Sequence, residues 1–267
     1  MRILISFLIS FTMINAAQAE NLLGLPDVLT QGGFYVGKAP PKSTVWLENR
    51  KLKISPEGYF AVGMNWQQGA MVKFRLVDGA GAEHHQRFAV TKQKYDIQHI
   101  EGLPPKMVTP PKDVLARIAQ DVARVKKART INSDRMDFRG SFIWPVQGRI
   151  SGNFGSHRIL NGTAKSPHGG MDIAAPKGTS IKAPLGGVVT LVSDLYYTGN
   201  TVIIDHGFGI NTVFAHMDNV VVTAGQTLKQ GDQVGTVGAT GRATGPHLHW
   251  GLNWYKQRLN PALVLAK

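Results

Sequence analysis

Short runs in which apolar and polar residues alternate fill most of this chain. Between residues 20 and 100, "FYVGKAPPKSTVWLEN", "LKISPEGYFAVGM", "MVKFRLVDGAG" and "HHQRFAVTK" are β-branched and aromatic runs, punctuated by Gly, Pro, Asn and Asp. Alternation at period two with such punctuation predicts short strands and a small β-sandwich. The pattern then changes. "EGLPPKMVTPPK" is a proline-rich connector. After it, Val114, Leu115, Ile118, Val122 and Val125 recur at helical spacing on one face. Lys126, Lys127 and Arg129 follow in the last turn, where they complement the helix dipole. A linking helix of roughly three to five turns with a solvated charged face is expected here. From Phe142 onward the strand pattern returns in "SIKAPLGGVVTLVSD", "GNTVIIDHGFG", "INTVFAHMDNVVV", "TLKQGDQVGTVG" and "GPHLHWGLNWY". No long helical period interrupts it, so this half is expected to be antiparallel and β-rich. The fold class predicted is mainly β, with a sandwich over residues 20–100, a linker and helix over 101–140, and a β domain over 141–267.

The first nineteen residues stand apart. Arg2 precedes an almost wholly apolar run from Ile3 to Ala16, and Ala17-Gln18-Ala19 has the small-x-small form of a cleavage site. This reads as a secretory signal peptide cut after Ala19, since the run is shorter than the ~20 residues a membrane span needs. No later segment is apolar enough to cross a bilayer. A periplasmic or secreted protein is therefore expected, with no transmembrane span after cleavage.

Composition narrows the chemistry. The chain of 267 residues has no cysteine, which removes thiolate metal sites and cysteine nucleophiles. Its net charge is +13, and both halves are positive. No helix-turn-helix, finger or RNA-binding pattern accompanies that charge, so nucleic acid is not the expected partner. For an exported protein the charge suits an anionic envelope polymer or a membrane surface.

The candidate chemistry lies in two strand segments. "SPHGGMDIAAP" places His168 and Asp172 four apart. Gly169, Gly170 and the flanking prolines argue against a helix, so an extended strand end is the conformation that puts both on one face. "GPHLHW" places His247 and His249 on alternate residues, hence on one face of a strand. Two imidazoles and one carboxylate make a hydrolytic zinc site with a position left for water. No glutamate occurs after residue 140, so any proton acceptor in this half is Asp or His. His247, beside a candidate ligand, is the natural base, and His216 in "VFAHMD" is placed to donate a hydrogen bond to a developing oxyanion.

These residues carry a resemblance. His168-x-x-x-Asp172, "FAHM" and "GPHLHW", in that order, with "NFGSHR", "APKGTSIKAPLGGVV", "GNTVIIDHG" and "GATGRATGPHLHWGL", resemble the LytM/lysostaphin-type zinc metallopeptidases, family M23, over about residues 142–265. The resemblance implies an exported zinc endopeptidase, one Zn2+ per chain, that cuts peptidoglycan cross-link peptides. By analogy it suits D-Ala–diaminopimelate cross-links better than glycine bridges. It implies zinc ligands His168, Asp172 and His249, with His216 and His247 catalytic beside the metal. The chain departs from the family at Phe214 and Met217, where the family carries Tyr and Leu; both read as packing changes. Arg158 and Asn161 are expected at the cleft rim, Arg158 to hold a substrate carboxylate or to form a surface salt bridge. His206 is expected to be structural. The alternative function is a non-catalytic module of the same fold that binds cell wall or activates an amidase, and a regulatory envelope protein is a candidate partner.

Overall fold

The computed structural model describes residues 21–265, so the expected signal peptide lies outside the described residues. The protein is mainly β. Its N-terminal part has a five-stranded sheet in the spatial order Val28–Thr30, Glu83–Thr91, Met71–Val77, Thr44–Leu47, Arg50–Lys51. The first pair is parallel and the others antiparallel. A two-stranded sheet, Phe34–Lys38 with Tyr59–Gly63, accompanies it. The alternation that predicts these strands is visible in their burial. In Met71–Val77, Val72, Phe74 and Leu76 turn inward while Met71 and Lys73 face solvent, as a half-buried strand requires.

The connector does more than join two parts. Ile97–Ile100 is a strand that the sequence pattern did not announce. It pairs parallel to His157–Leu160, which pairs antiparallel to Thr163–Lys165. The proline-rich run then makes a single helical turn, Pro105–Val108, and packs Leu103 and Val108 on Leu160 in a small apolar cluster.

The helix Leu115–Arg129 forms where the period predicts it, but it docks differently. Its buried residues are Asp121 and Ala128, while Leu115 and Val122 are 49% and 61% exposed. The reason is polar. An Asp121 carboxylate oxygen accepts the backbone N–H of Tyr196 at 2.8 Å, and Asp121 also pairs with Arg124. Arg117 reaches Asp194 at 2.9 Å. Buried charge is held only when it is paired and hydrogen-bonded, and these contacts hold this helix face against the strand Gly187–Leu195. The apolar stripe is left to border a groove.

The C-terminal part is built on a ten-stranded sheet. Its centre is Gly199–Gly207, Ile210–Val220, His247–Trp254 and Met171–Ala174, in that spatial order. Central strands buried on both faces read as continuous apolar runs, as Val202–Ile203–Ile204 does here. The two parts share one core. Phe34 meets Phe142 edge-on at 6.1 Å between ring centres. Gly63 leaves no room for a Cβ because Leu259 and Trp254 would stand 2.8 Å from it. Lys53 pairs with Asp134 at 2.7 Å, and Arg50 lies over the Trp254 ring.

Candidate metal centre and cleft

Strand register assembles the site. Asp172 in Met171–Ala174 lies directly opposite His249 in His247–Trp254, and Ala174 lies opposite His247. Side chains of directly opposed residues share a face and stand close together. His168 lies just before the strand. Its backbone N–H bonds to the Ser156 carbonyl, and its own carbonyl accepts from Gly155. Gly170 makes the approach possible. A Cβ there would sit 2.5 Å from the Trp250 carbonyl and 2.9 Å from the His249 ring.

Three donor atoms converge. His168 Nε2 is 3.0 Å from Asp172 Oδ1, His249 Nδ1 is 2.7 Å from the same oxygen, and the two ring nitrogens are 2.9 Å apart. His168 Nδ1 faces the Asn153 carbonyl at 2.9 Å. A carbonyl only accepts, so Nδ1 carries the proton and Nε2 turns a lone pair toward Asp172 and His249. Burial pushes His168 down to about 4, so the ring is neutral near pH 7. Burial alone would raise the Asp172 carboxyl. Hydrogen bonding and charge at the His249 ring outweigh that and hold it well below the usual carboxylate range. A buried carboxylate oxygen facing an imidazole lone pair is an arrangement that a cation relieves. The donor set of two imidazole nitrogens and one carboxylate oxygen, all within 4.8 Å of one another, suits zinc.

The other two histidines flank this cluster. The His216 and His247 ring centres are 4.7 Å apart, and His247 Nε2 is 4.0 Å from Asp172 Oδ1. His216 has φ +61°, uncommon for a residue with a side chain. It sits where the strand Ile210–Val220 bulges against Gly199–Gly207, with register lost between Asn200 and Val202. A bulge re-aims a side chain that regular alternation would place elsewhere. His216 Nδ1 donates to the Thr240 carbonyl at 2.8 Å, and His247 Nδ1 donates to the Gly245 carbonyl at 2.8 Å. In its neutral form each ring therefore presents Nε2 as an acceptor. Burial first, then the neighbouring His247 and His249 rings, push His216 down to about 3. The oxyanion contact expected of this ring would have to be made from Nε2. Donation from its Nε2 would need a second proton, which burial resists.

Arg158 and Asn161 are engaged elsewhere. Arg158 Nη2 donates to Asp172 Oδ2 at 2.7 Å, which leaves Oδ1 to the histidines. Asn161 binds Leu103 both ways, its Nδ2 to the Leu103 carbonyl at 2.7 Å and its Oδ1 to the Leu103 N–H at 3.2 Å. It ties the connector to the rim of the site. His206 is fully buried, with Nδ1 donating to the Gly186 carbonyl and Nε2 facing the Thr212 hydroxyl. Phe214 and Met217 are fully buried packing residues. Sequence reasoning missed the connector's Leu103 and Val108 and the arginines Arg129, Arg242 and Arg258, all of which line the cleft. No spacing in the sequence marks them, because they come from separate segments.

A β-rich fold with a His-Asp-His cluster and two further histidines in one cleft defines the M23 class of peptidase. Residues 166–261 match the model of peptidase family M23. It is 37% identical over 144 residues to the peptidoglycan DD-endopeptidase ShyA of Vibrio cholerae, covering 53% of this chain and 32% of ShyA. It is 40% identical over 121 residues to the DD-carboxypeptidase/endopeptidase Mpg of Neisseria meningitidis, covering 45% of this chain and 27% of Mpg. The chain thus spans about a third or less of the length of these relatives. A crystal structure described as a peptidase M23 from Pseudomonas aeruginosa is similar over 88% of this chain and 94% of that one, with TM-score 0.69 and 28% identity.

Proposed function

We propose that this chain is an exported zinc-dependent endopeptidase that hydrolyses peptidoglycan cross-link peptides. The observation that carries the reading is the convergence of His168, Asp172 and His249 beside His216 and His247. The names of the DD-endopeptidase relatives support the substrate class. His168 Nε2, Asp172 Oδ1 and His249 Nδ1 would hold the metal. Zinc supplies a Lewis acid there, polarising a carbonyl and acidifying water. His247 accepts the proton of the attacking water at Nε2 and returns it to the leaving amine. His216, with Nδ1 donating to Thr240, accepts a hydrogen bond at Nε2 and orients that water. Arg158 fixes Asp172 from behind. A periplasmic or secreted location follows from the expected signal peptide. Among the described residues no helix is long and apolar enough to cross a membrane.

The test is a digestion. Zinc-loaded protein is expected to convert cross-linked muropeptide dimers to monomers, with the mass of one water gained per cut. His247→Ala is expected to lose at least about 100-fold in rate while keeping its zinc. His249→Ala is expected to lose both activity and zinc. Intact dimers in the presence of one bound zinc per chain would exclude the endopeptidase and leave a cell-wall binding module.

A further inference from the structure

The cleft that reaches the histidine cluster is strongly one-sided in charge. It has a volume of about 530 Å3, and the cations lining it are Arg129, Arg158, Lys165, Arg242 and Arg258, with no Asp or Glu among the described lining residues. Arg158 is neutralised by Asp172. The other three arginines have no acid. Arg129, at the end of the helix Leu115–Arg129, donates to Asn253 Oδ1, and its buried Nε has no partner. Arg242 donates to the Met107 carbonyl and lies over the Tyr197 ring. Arg258 is exposed, and among the described residues its guanidinium makes no hydrogen bond and no ion pair. Its Nη1 lies over Gly169, one residue from His168, where a Cβ would stand 2.6 Å away. Gly169 therefore keeps this guanidinium beside the metal cluster.

Gathering guanidinium groups in a partly desolvated cleft is costly, since each repels the next and loses water. The arginines show it. Desolvation lowers Arg258, and desolvation with repulsion from Arg258 lowers Arg129 to about 10. The arrangement becomes favourable when an anion enters, and a guanidinium fork fits a carboxylate with two parallel hydrogen bonds. Resting on the endopeptidase reading, we propose that Arg258, with Arg129 and Arg242, is a carboxylate-recognition site that selects cross-linked stem peptides carrying free carboxylates next to the bond to be cut. Arg258 sets specificity and takes no part in bond cleavage. Val122 and Val125, on the same helix as Arg129, also line this cleft and would cover the aliphatic part of such a peptide.

The test separates binding from cleavage. The zinc-loaded full chain carrying His247→Ala is titrated calorimetrically with a cross-linked stem peptide bearing free carboxylates, and with the same peptide amidated. The free acid is expected to bind about 10- to 100-fold more tightly, the range for one lost charged hydrogen-bond pair. Adding Arg258→Gln is expected to abolish that preference, and Arg258→Lys to restore part of it. Retained zinc stoichiometry shows that the variants are folded. Equal affinity for both peptides, no binding of either, or a preference untouched by Arg258→Gln overturns the proposal. Preferential binding of the acid with no cleavage by the unsubstituted chain would fail the endopeptidase reading and leave this site standing. Cleavage of both peptides at equal rate would do the reverse.

Discussion

At the scale of single residues, histidines with the same donor atoms have different work because their surroundings differ. His168, His216 and His206 are all pushed down by burial, to about 4, 3 and 4. His206 lies away from the metal cluster, which makes it a clean probe of stability. Its folded pKa is depressed, so the unfolded chain takes up the proton first as pH falls. The stability it contributes is complete above about pH 6.5 and is lost progressively as pH drops toward 4. His206→Asn is therefore expected to be less stable than the parent at pH 7.5. The gap should narrow by on the order of 2 kcal/mol at pH 5, measured by urea unfolding at both values. A gap that stays constant with pH would contradict the assignment of His206 as a neutral buried bridge. That His206 is structural was legible from its place in "IDHGFG" at a strand-end turn; its partners, Gly186 and Thr212, were not, because they are tertiary neighbours.

At the scale of elements, the helix Leu115–Arg129 shows periodicity giving the right element and the wrong buried face. Its apolar stripe predicts burial of Leu115 and Val122, yet the docked face centres on Asp121. A carboxylate that accepts a backbone N–H and pairs with Arg124 outweighs two aliphatic contacts. Asp121→Ala is expected to destabilise the protein by about 2 kcal/mol, since it strands the Tyr196 N–H and removes the Arg124 pair. Chemical denaturation reads this directly. An unchanged midpoint would mean that the helix is held by apolar contact after all. The strand Ile97–Ile100 is the complementary case. Its partner His157–Leu160 is about sixty residues away, and no local pattern encodes a pairing at that distance.

At the scale of the molecule, the parts before and after the connector share one hydrophobic core. Phe34 on Phe142, Gly63 against Trp254 and Leu259, and Lys53 on Asp134 tie them together. A fragment of residues 141–267 is expected to expose the apolar face that Gly63 and Phe34 cover, to bind a hydrophobic dye and to melt at least about 10 °C below the whole chain. A fragment as stable as the whole would show that the junction contributes little. The metal cluster itself was legible at the level of residues. His168 and Asp172 beside paired glycines and His247-x-His249 on a strand put four candidate groups on two strand segments by spacing, because side-chain direction in a strand follows from a period of two, and the resemblance to family M23 implied which are ligands and which the base. Tertiary structure decided the rest. The bulge at His216 fixed its orientation and the Thr240 carbonyl its tautomer, Arg158 became the partner of Asp172, and Arg129, Arg242 and Arg258 met in one cleft from three separate segments. Short-range geometry is written in the sequence, whereas which charges face one another across a cleft depends on how sheets, helix and connector pack.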